Sequence, residues 1–313
     1  MEVLLLEPRL YDYAPINDRP KVKWPNDARI ALWVTPNVEY MDFIPEPNDG
    51  KGGFYRRVYG RTPLPDVMSY ASQDYSNRVC WWRMLEVFDH HKIRCTVSLN
   101  EAILEHFPEI KDSMMKRDYD YMSHGIYNNR FLHLMTPDEE LAFYKDCIDT
   151  LHRHTGKKLK GMLTPAVSPS GNTAELMAKA GLIYNADWGH DDQPFPMKVE
   201  SGRIISMPYN LDLNDGTFSR FGVSPEYWAQ CVKDQFDVLY EEGADNARQI
   251  CISLHPGTMG HPSRIKYLDE VLGYMMSHAG VWQTTSDEIA DYYMENYYDL
   301  MVNYLKERDY SSP

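Results

Sequence analysis

Short apolar runs, each followed by a helical pattern, recur along most of this chain, and that alternation constrains its fold more than any other feature. The runs are residues 28–34, 93–99, 119–123, 159–164, 183–186, 204–207, 249–254 and 281–284. Between them, apolar residues at helical spacing mark 76–91, 101–116, 137–154, 172–180, 225–242 and 263–278, before a Tyr-rich terminal helix opened by Ser286. Local chemistry supports these limits. Ser76 is a candidate N-cap, Thr136-Pro137-Asp138-Glu139 joins a cap to a first-position proline and acids, and Gly156 and Gly181 follow helix ends. Strand then helix with short turns predicts an α/β fold with a largely parallel sheet. Seven or so such units favour a closed (β/α)7-8 barrel over an open sheet. The single domain then spans residues 28–313, preceded by a Pro- and charge-punctuated arm over 1–27. Residues 40–75, rich in Gly, Pro and Tyr, read as a lid-like insertion into the barrel.

Several predicted strands end in residues capable of chemistry: Asn37 and Glu39, His124, Asp187 with His190 and Asp191, Asp212 with Asp215, and His255. A parallel sheet places all of these on one rim, where α/β proteins build their sites. Singly, each has a structural explanation, a hydrogen-bonded histidine or an aspartate in a turn. Five strand ends of this kind in one chain point to a site.

Charge narrows the partners. Lys and Arg number 32 against 46 Asp and Glu, a formal net charge of −14, which repels nucleic acid and anionic bilayers. The five cysteines are scattered without a Cys-x-x-Cys pair, so neither a disulfide framework nor a zinc knuckle is indicated. The opening MEVLLLEPRLYDY is too short an apolar run for a signal peptide or a membrane span, and a cytoplasmic protein is expected. Phosphate loops, dinucleotide glycine fingerprints and the Gly-x-Ser-x-Gly elbow do not occur.

SHGIYNNR (residues 123–130) resembles the second motif of the NodB-type polysaccharide deacetylase superfamily, and SLHPG (253–257) resembles its late Leu-His motif. TPNVEY, NADWGHDD, MPYNLDLND and the tract from FDVLYEEGA through SHAGVW are similar to the branch that contains the cofactor-free allantoinase of purine degradation. The resemblance covers about residues 24–293. It implies a distorted seven- or eight-stranded α/β barrel and hydrolysis of a carbon–nitrogen amide-type bond.

This chain departs from the superfamily's metal pattern. Where metal-dependent members carry Asp-Asp and a His pair, it has Glu39-Tyr40 and His124 with Asn128. An amide oxygen is a poor zinc ligand, so no cofactor is expected. Zinc would otherwise have to use His124, Asn128 and Glu39, or a displaced set with Asp187 or Asp191 and His190. Without a metal, Glu39 is the candidate base, because enclosure can raise a carboxylate's proton affinity. His124 and His255 are candidate proton donors or oxyanion stabilisers. Asn37, Tyr40, Asn128, Asp187, Trp188, His190 and Asp215 are candidate substrate contacts. The turn 164–173 (TPAVSPSGNT) lacks the arginine of the superfamily's third motif, which weakens the case for allantoin itself and leaves other cyclic amides, ureides and imides. The acids Glu39, Asp187, Asp191, Asp212 and Asp215 together describe a negative rim suited to a neutral small-molecule substrate. Two alternatives stand beside this reading: a metal-dependent N-deacetylase of an amino sugar or other N-acyl compound, and a catalytically silent barrel that binds a ligand or a partner. A homo-oligomer, dimer or tetramer, is expected through the arm and the terminal helix YYMENYYDLMVNYL.

Overall fold

The computed structural model describes residues 9–44 and 65–308. Residues 45–64 of the expected insertion lie outside the described residues. Strand β1, Ile30–Val38, is buried at all nine positions. It is therefore covered on both faces, as strands of a parallel sheet are. On one edge it pairs with β8, Arg248–Leu254, from Ile30 to Pro36. On the other edge it pairs first with β9, Val281–Thr284, and then, at Asn37 and Val38, with β2, Thr96–Leu99. Parallel pairing continues through β3, Asp120–Ser123, β4, Gly161–Met162, β5, Tyr184–Asn185, and β7, Ile204–Ser206.

One strand was not legible in the periodicity. The three-residue β6, Phe195–Met197, lies antiparallel on β7 at the edge. Between this edge and β8 the sheet is closed by isolated contacts instead of a ladder. Gln249 N donates to Asp192 O at 2.9 Å, Cys251 N to Asn210 Oδ1 at 2.8 Å, and Ser253 Oγ to Asn210 O at 3.1 Å. The result is a curled sheet with helices around it, a distorted barrel.

Three helix limits differ from expectation, each for a local reason. The helix expected to start at Ser76 begins at Val67, because the Asp66 side chain accepts from Ser69 N at 3.1 Å. It runs through a π turn, Ser76–Cys80, into Trp81–His90. The helix expected over 101–116 is two, Ala102–His106 and Pro108–Lys116, since the proline ring forces Phe107 out of helical geometry (φ −133°, ψ 74°). The terminal helix is capped by Thr285, not Ser286, and breaks at Tyr297 into Ser286–Asn296 and Tyr298–Glu307. By contrast, the Thr136–Glu139 capping box and the left-handed Gly156 (φ 72°) bound the helix Pro137–Thr155 as read.

The described part of the arm contributes to the core. Val22 and Trp24 are buried, and Trp24 Nε1 donates to Arg248 O at 2.6 Å. Further along, Tyr11 and Ala14 pack with Phe195, Met301, Tyr304 and Leu305. The arm thus covers part of the apolar face of the terminal helix from within the same chain. No helix of the described residues is long and apolar enough to cross a membrane.

Just past β2, Glu101 is fully buried and neither carboxylate oxygen has a hydrogen-bond partner in the protein. Burial pushes its carboxyl up to about 8, against a weaker pull downward from Ser123. A carboxyl raised in the folded state stabilises the protein fully below its unfolded value near 4.5, and that contribution is lost as pH rises through about 8. Glu101→Gln, which cannot ionise, should therefore leave stability little changed at the acidic end and raise it above pH 8 by on the order of 1–5 kcal/mol, the free energy of ionising a buried carboxyl. Urea unfolding across this pH range measures the difference.

Candidate active site

The site is built where β1, β3 and β8 end. β1 delivers Asn37 and Glu39, β3 is followed directly by His124, and β8 by His255. His124 N donates to Leu99 O at 2.7 Å, which continues the β2–β3 ladder to the histidine itself. The chain then turns sharply at Gly125 (φ +78°), where a Cβ would come within 2.7 Å of Phe143 and 2.8 Å of Pro165. Only glycine fits this combination of left-handed backbone and close approach.

Three side chains converge. Glu39 Oε1 lies 3.5 Å from His124 Nε2 and 3.9 Å from His255 Nε2, with the Glu39 and His124 side chains both largely buried. The other nitrogen of each ring is committed. His124 Nδ1 donates to Leu163 O at 2.9 Å, and because a carbonyl can only accept, Nδ1 carries the hydrogen. His255 Nδ1 donates to Asp215 Oδ1 at 2.7 Å, and the same carboxylate accepts the His255 backbone N–H at 2.9 and 3.0 Å. Both rings therefore turn Nε2 toward Glu39, one backed by a neutral carbonyl and the other by a buried carboxylate.

Most of the remaining predicted contacts hold the site together and do not line it. Asn37 Nδ2 donates to Tyr209 Oη at 2.9 Å and to Leu254 O at 3.0 Å, tying the end of β1 to the residue before His255. Asp187 is buried. Its Oδ1 accepts from Thr164 N (2.8 Å) and Thr164 Oγ1 (2.9 Å), and its Oδ2 accepts from Asn185 Nδ2 (3.1 Å). Burial pushes its carboxyl up to about 6, with the Thr164 N–H, Asn185 and His124 pulling the other way. It fixes the 163–164 peptide that receives His124. Tyr40 stacks on His106 (4.6 Å, 25°) with Tyr127 edge-on at 5.6 Å. Successive side chains at a strand end point to opposite sides, which explains why Glu39 faces the histidines and Tyr40 an aromatic stack.

Trp188, His190 and Asp191 serve the arm. Tyr11 meets Trp188 edge-on at 5.8 Å and His190 at 4.3 Å, His190 Nε2 bonds Ser206 Oγ at 2.7 Å, and Arg19 grips Asp191 with two contacts of 2.5 and 2.7 Å. The negative rim expected from five acids is accordingly corrected. Asp191 is neutralised by Arg19, Asp187 and Asp215 are consumed inside the protein, and Asp212 is exposed. Of the substrate-binding candidates, Asn128 alone is buried with its side-chain oxygen unpartnered.

The residue missed from the sequence is Asn100. Fully buried, it accepts Tyr40 N at Oδ1 (2.9 Å) and donates from Nδ2 to His124 O (2.6 Å) and Gly125 O (3.0 Å). One amide thereby joins the peptide after Glu39 to the peptides around His124. An asparagine after a strand reads as turn chemistry, and nothing in its spacing distinguishes it.

Beyond Glu39 and the two imidazoles, the zinc ligands anticipated from the sequence are unsuited or already committed. Tyr40 is stacked away on His106, Asn128 offers only an amide, and in the displaced set Asp187 and His190 are already bonded to Thr164, Asn185 and Ser206. Among the described residues, His90, His91 and Asp269 are the one trio of such side chains with ligand atoms within 4.8 Å of each other, and they lie at the surface, away from this rim.

Comparison with known proteins agrees with the geometry. The family model described as polysaccharide deacetylase matches residues 64–184. The crystal structure of a probable polysaccharide deacetylase from Pseudomonas aeruginosa PAO1 is 28% identical, with a TM-score of 0.79 over 90% of this chain and 96% of that one. The PuuE allantoinase structure is 26% identical, also with a TM-score of 0.79, over 89% of this chain and 94% of that one. A peptidoglycan deacetylase of Helicobacter pylori is 24% identical, covering 76% of this chain and 90% of that protein. The chain is therefore similar to polysaccharide deacetylases in sequence over residues 64–184 and shares the fold of the Pseudomonas protein and of the PuuE allantoinase over about nine-tenths of its length.

Proposed function

We propose that this protein hydrolyses a carbon–nitrogen bond of a small, neutral cyclic amide, ureide or imide without a metal. The observation that carries this reading is the placement of Glu39 Oε1 between two imidazole Nε2 atoms whose Nδ1 partners differ in charge. Glu39 removes a proton from water as the oxygen attacks the ring carbonyl carbon. His124, held by its Nδ1–H on Leu163 O, turns Nε2 toward Glu39 and orients the same water. His255, backed by the Asp215 carboxylate, is suited to carry a proton at Nε2, support the developing oxyanion and deliver that proton to the leaving nitrogen. The C–N bond breaks, the ring opens to a carboxyl group and an N–H, and the proton held by Glu39 returns to His255 across the 3.9 Å that separates them. The net change is one water added.

Supporting the small-ring substrate are the likeness to the PuuE allantoinase and the neutralised rim, which leaves Glu39 as the principal anion facing the histidines. The name of the Helicobacter relative supports a second reading, deacetylation of an N-acetylated amino sugar by the same base and acid. A screen that follows ring opening of cyclic ureides and imides alongside acetate release from N-acetylglucosamine oligomers decides between them.

On whichever substrate turns over, Glu39→Gln should lower kcat by ~10²–10⁴-fold, the usual worth of a positioned base, and flatten the acidic limb of the pH profile. Unchanged turnover would remove Glu39 from the reaction. Asn100→Ala should lower kcat/KM by about 10²-fold, as expected when catalytic groups are misplaced by an ångström, while KM changes much less. Thermal melts should show the accompanying loss of stability, and an Asn100→Ala enzyme with wild-type kcat would contradict the positioning role.

A further inference from the structure

The helix that leads into Trp81 contains one π turn, Ser76–Cys80, a distortion that tends to occur at functional sites. At that turn Asn77 Nδ2 donates to Glu39 O at 3.2 Å, and one helical turn earlier Gln73 Nε2 donates to the same oxygen at 2.9 Å. Donation to a carbonyl settles the orientation of the Asn77 amide, because the carbonyl can only accept. Its Oδ1 is therefore a true acceptor, and it is buried with no partner in the protein. Ser76 Oγ is likewise buried and unpartnered. Ser76 Cβ lies 3.2 Å from where a Cβ on Gly257 would stand, two residues past His255. Asn77 thus borders the backbone of Glu39, and Ser76 borders the turn that carries His255.

A third bare oxygen lies in the loop that follows β3. Asn128, four residues past His124, is 2% exposed, and its Oδ1 has no partner either. Its neighbour Asn129 donates to Asp42 Oδ2 at 2.7 Å, which holds this loop against the segment following Glu39. A buried acceptor left bare costs about 1–3 kcal/mol, and folded proteins leave few of them. Bare acceptor oxygens beside the Glu39 backbone and in the loop after His124 are matched by N–H or O–H donors, not by another carbonyl or carboxylate edge. On an amide-type ring those donors are the ring N–H groups.

We propose that Asn77 and Asn128 are specificity-determining residues that accept N–H groups of the substrate, which assigns the site to neutral cyclic ureides and imides with unsubstituted ring nitrogens. This rests on the preceding reading for the location of the site and the substrate class, and not for the chemistry of bond cleavage. A ring methylated on nitrogen would leave the acceptors bare and press a methyl group against them.

Binding tests this independently of turnover. Isothermal titration of the full chain with hydantoin and with 1,3-dimethylhydantoin should show hydantoin binding at least about tenfold more tightly, the worth of one such hydrogen bond. Asn77→Ala should bring that ratio toward one by weakening hydantoin alone, and Asn128→Ala, on a separate loop, should act in the same direction. The two-ligand comparison on the unaltered protein needs no variant to fold. Equal binding of the two compounds, or binding of neither, would overturn the proposal. Hydrolysis followed in parallel separates the readings: discrimination in binding without ring opening removes the proposed reaction and keeps the N–H specificity, and ring opening without discrimination does the reverse.

Discussion

The site depends on one buried amide. Asn100 sits just past β2 and bonds the strand ends on either side of it, the N–H after Glu39 and the carbonyls of His124 and Gly125. A parallel ladder sets strand spacing but leaves the last residues of each strand without cross-strand partners. Those last residues are where Glu39 and one imidazole stand. By using its acceptor and both donors internally, Asn100 extends the order of the sheet one step beyond the strands. Similar devices act around it: Asn37 and Tyr209 at β8, Asp215 behind His255, Asp187 behind the peptide that holds His124. Polar residues that are buried and fully satisfied specify geometry strongly, because any displacement leaves an unpaired group in a low-dielectric interior.

This arrangement changes what the acidity of the chain means at the site. Of five acids near the rim, three are consumed by internal partners and one is exposed. The net charge of −14 therefore acts at long range, against polyanions, and the local field is set by Glu39 together with two imidazoles. On the proposed reaction, such a centre suits a neutral substrate whose charge develops only in the transition state.

The alternation of runs and helices and the rim of polar strand ends were legible in the sequence because each follows from a period or from a position relative to a strand, and the resemblance of the motifs around His124 and His255 singled out Glu39, His124 and His255 among them. Other features were not. The π turn at Ser76–Cys80 looks like ordinary helix, since one extra residue barely alters an amphipathic pattern. The antiparallel β6 is three residues long and carries a proline, too short for a period to show. His190 and Asp191 read as chemistry because they follow a strand, yet their partners, Tyr11 and Arg19, lie some 170 residues away in the arm, and no local signal reports such a contact. Asn100 was invisible for the same reason. Its role exists only once three strand ends are brought together.

The proposed reaction uses protein groups alone: Tyr40 is stacked away, Asn128 offers only an amide, and Asp187 is already bonded to Thr164 and Asn185, so none of these three adds a zinc ligand to Glu39 and the two imidazoles. Elemental analysis of the protein after exhaustive chelation, with turnover measured on the same sample, tests that claim most directly. Full activity with substoichiometric transition metal is the expected result. Stoichiometric zinc in the active protein, with activity lost on chelation and restored by adding the ion, would contradict it.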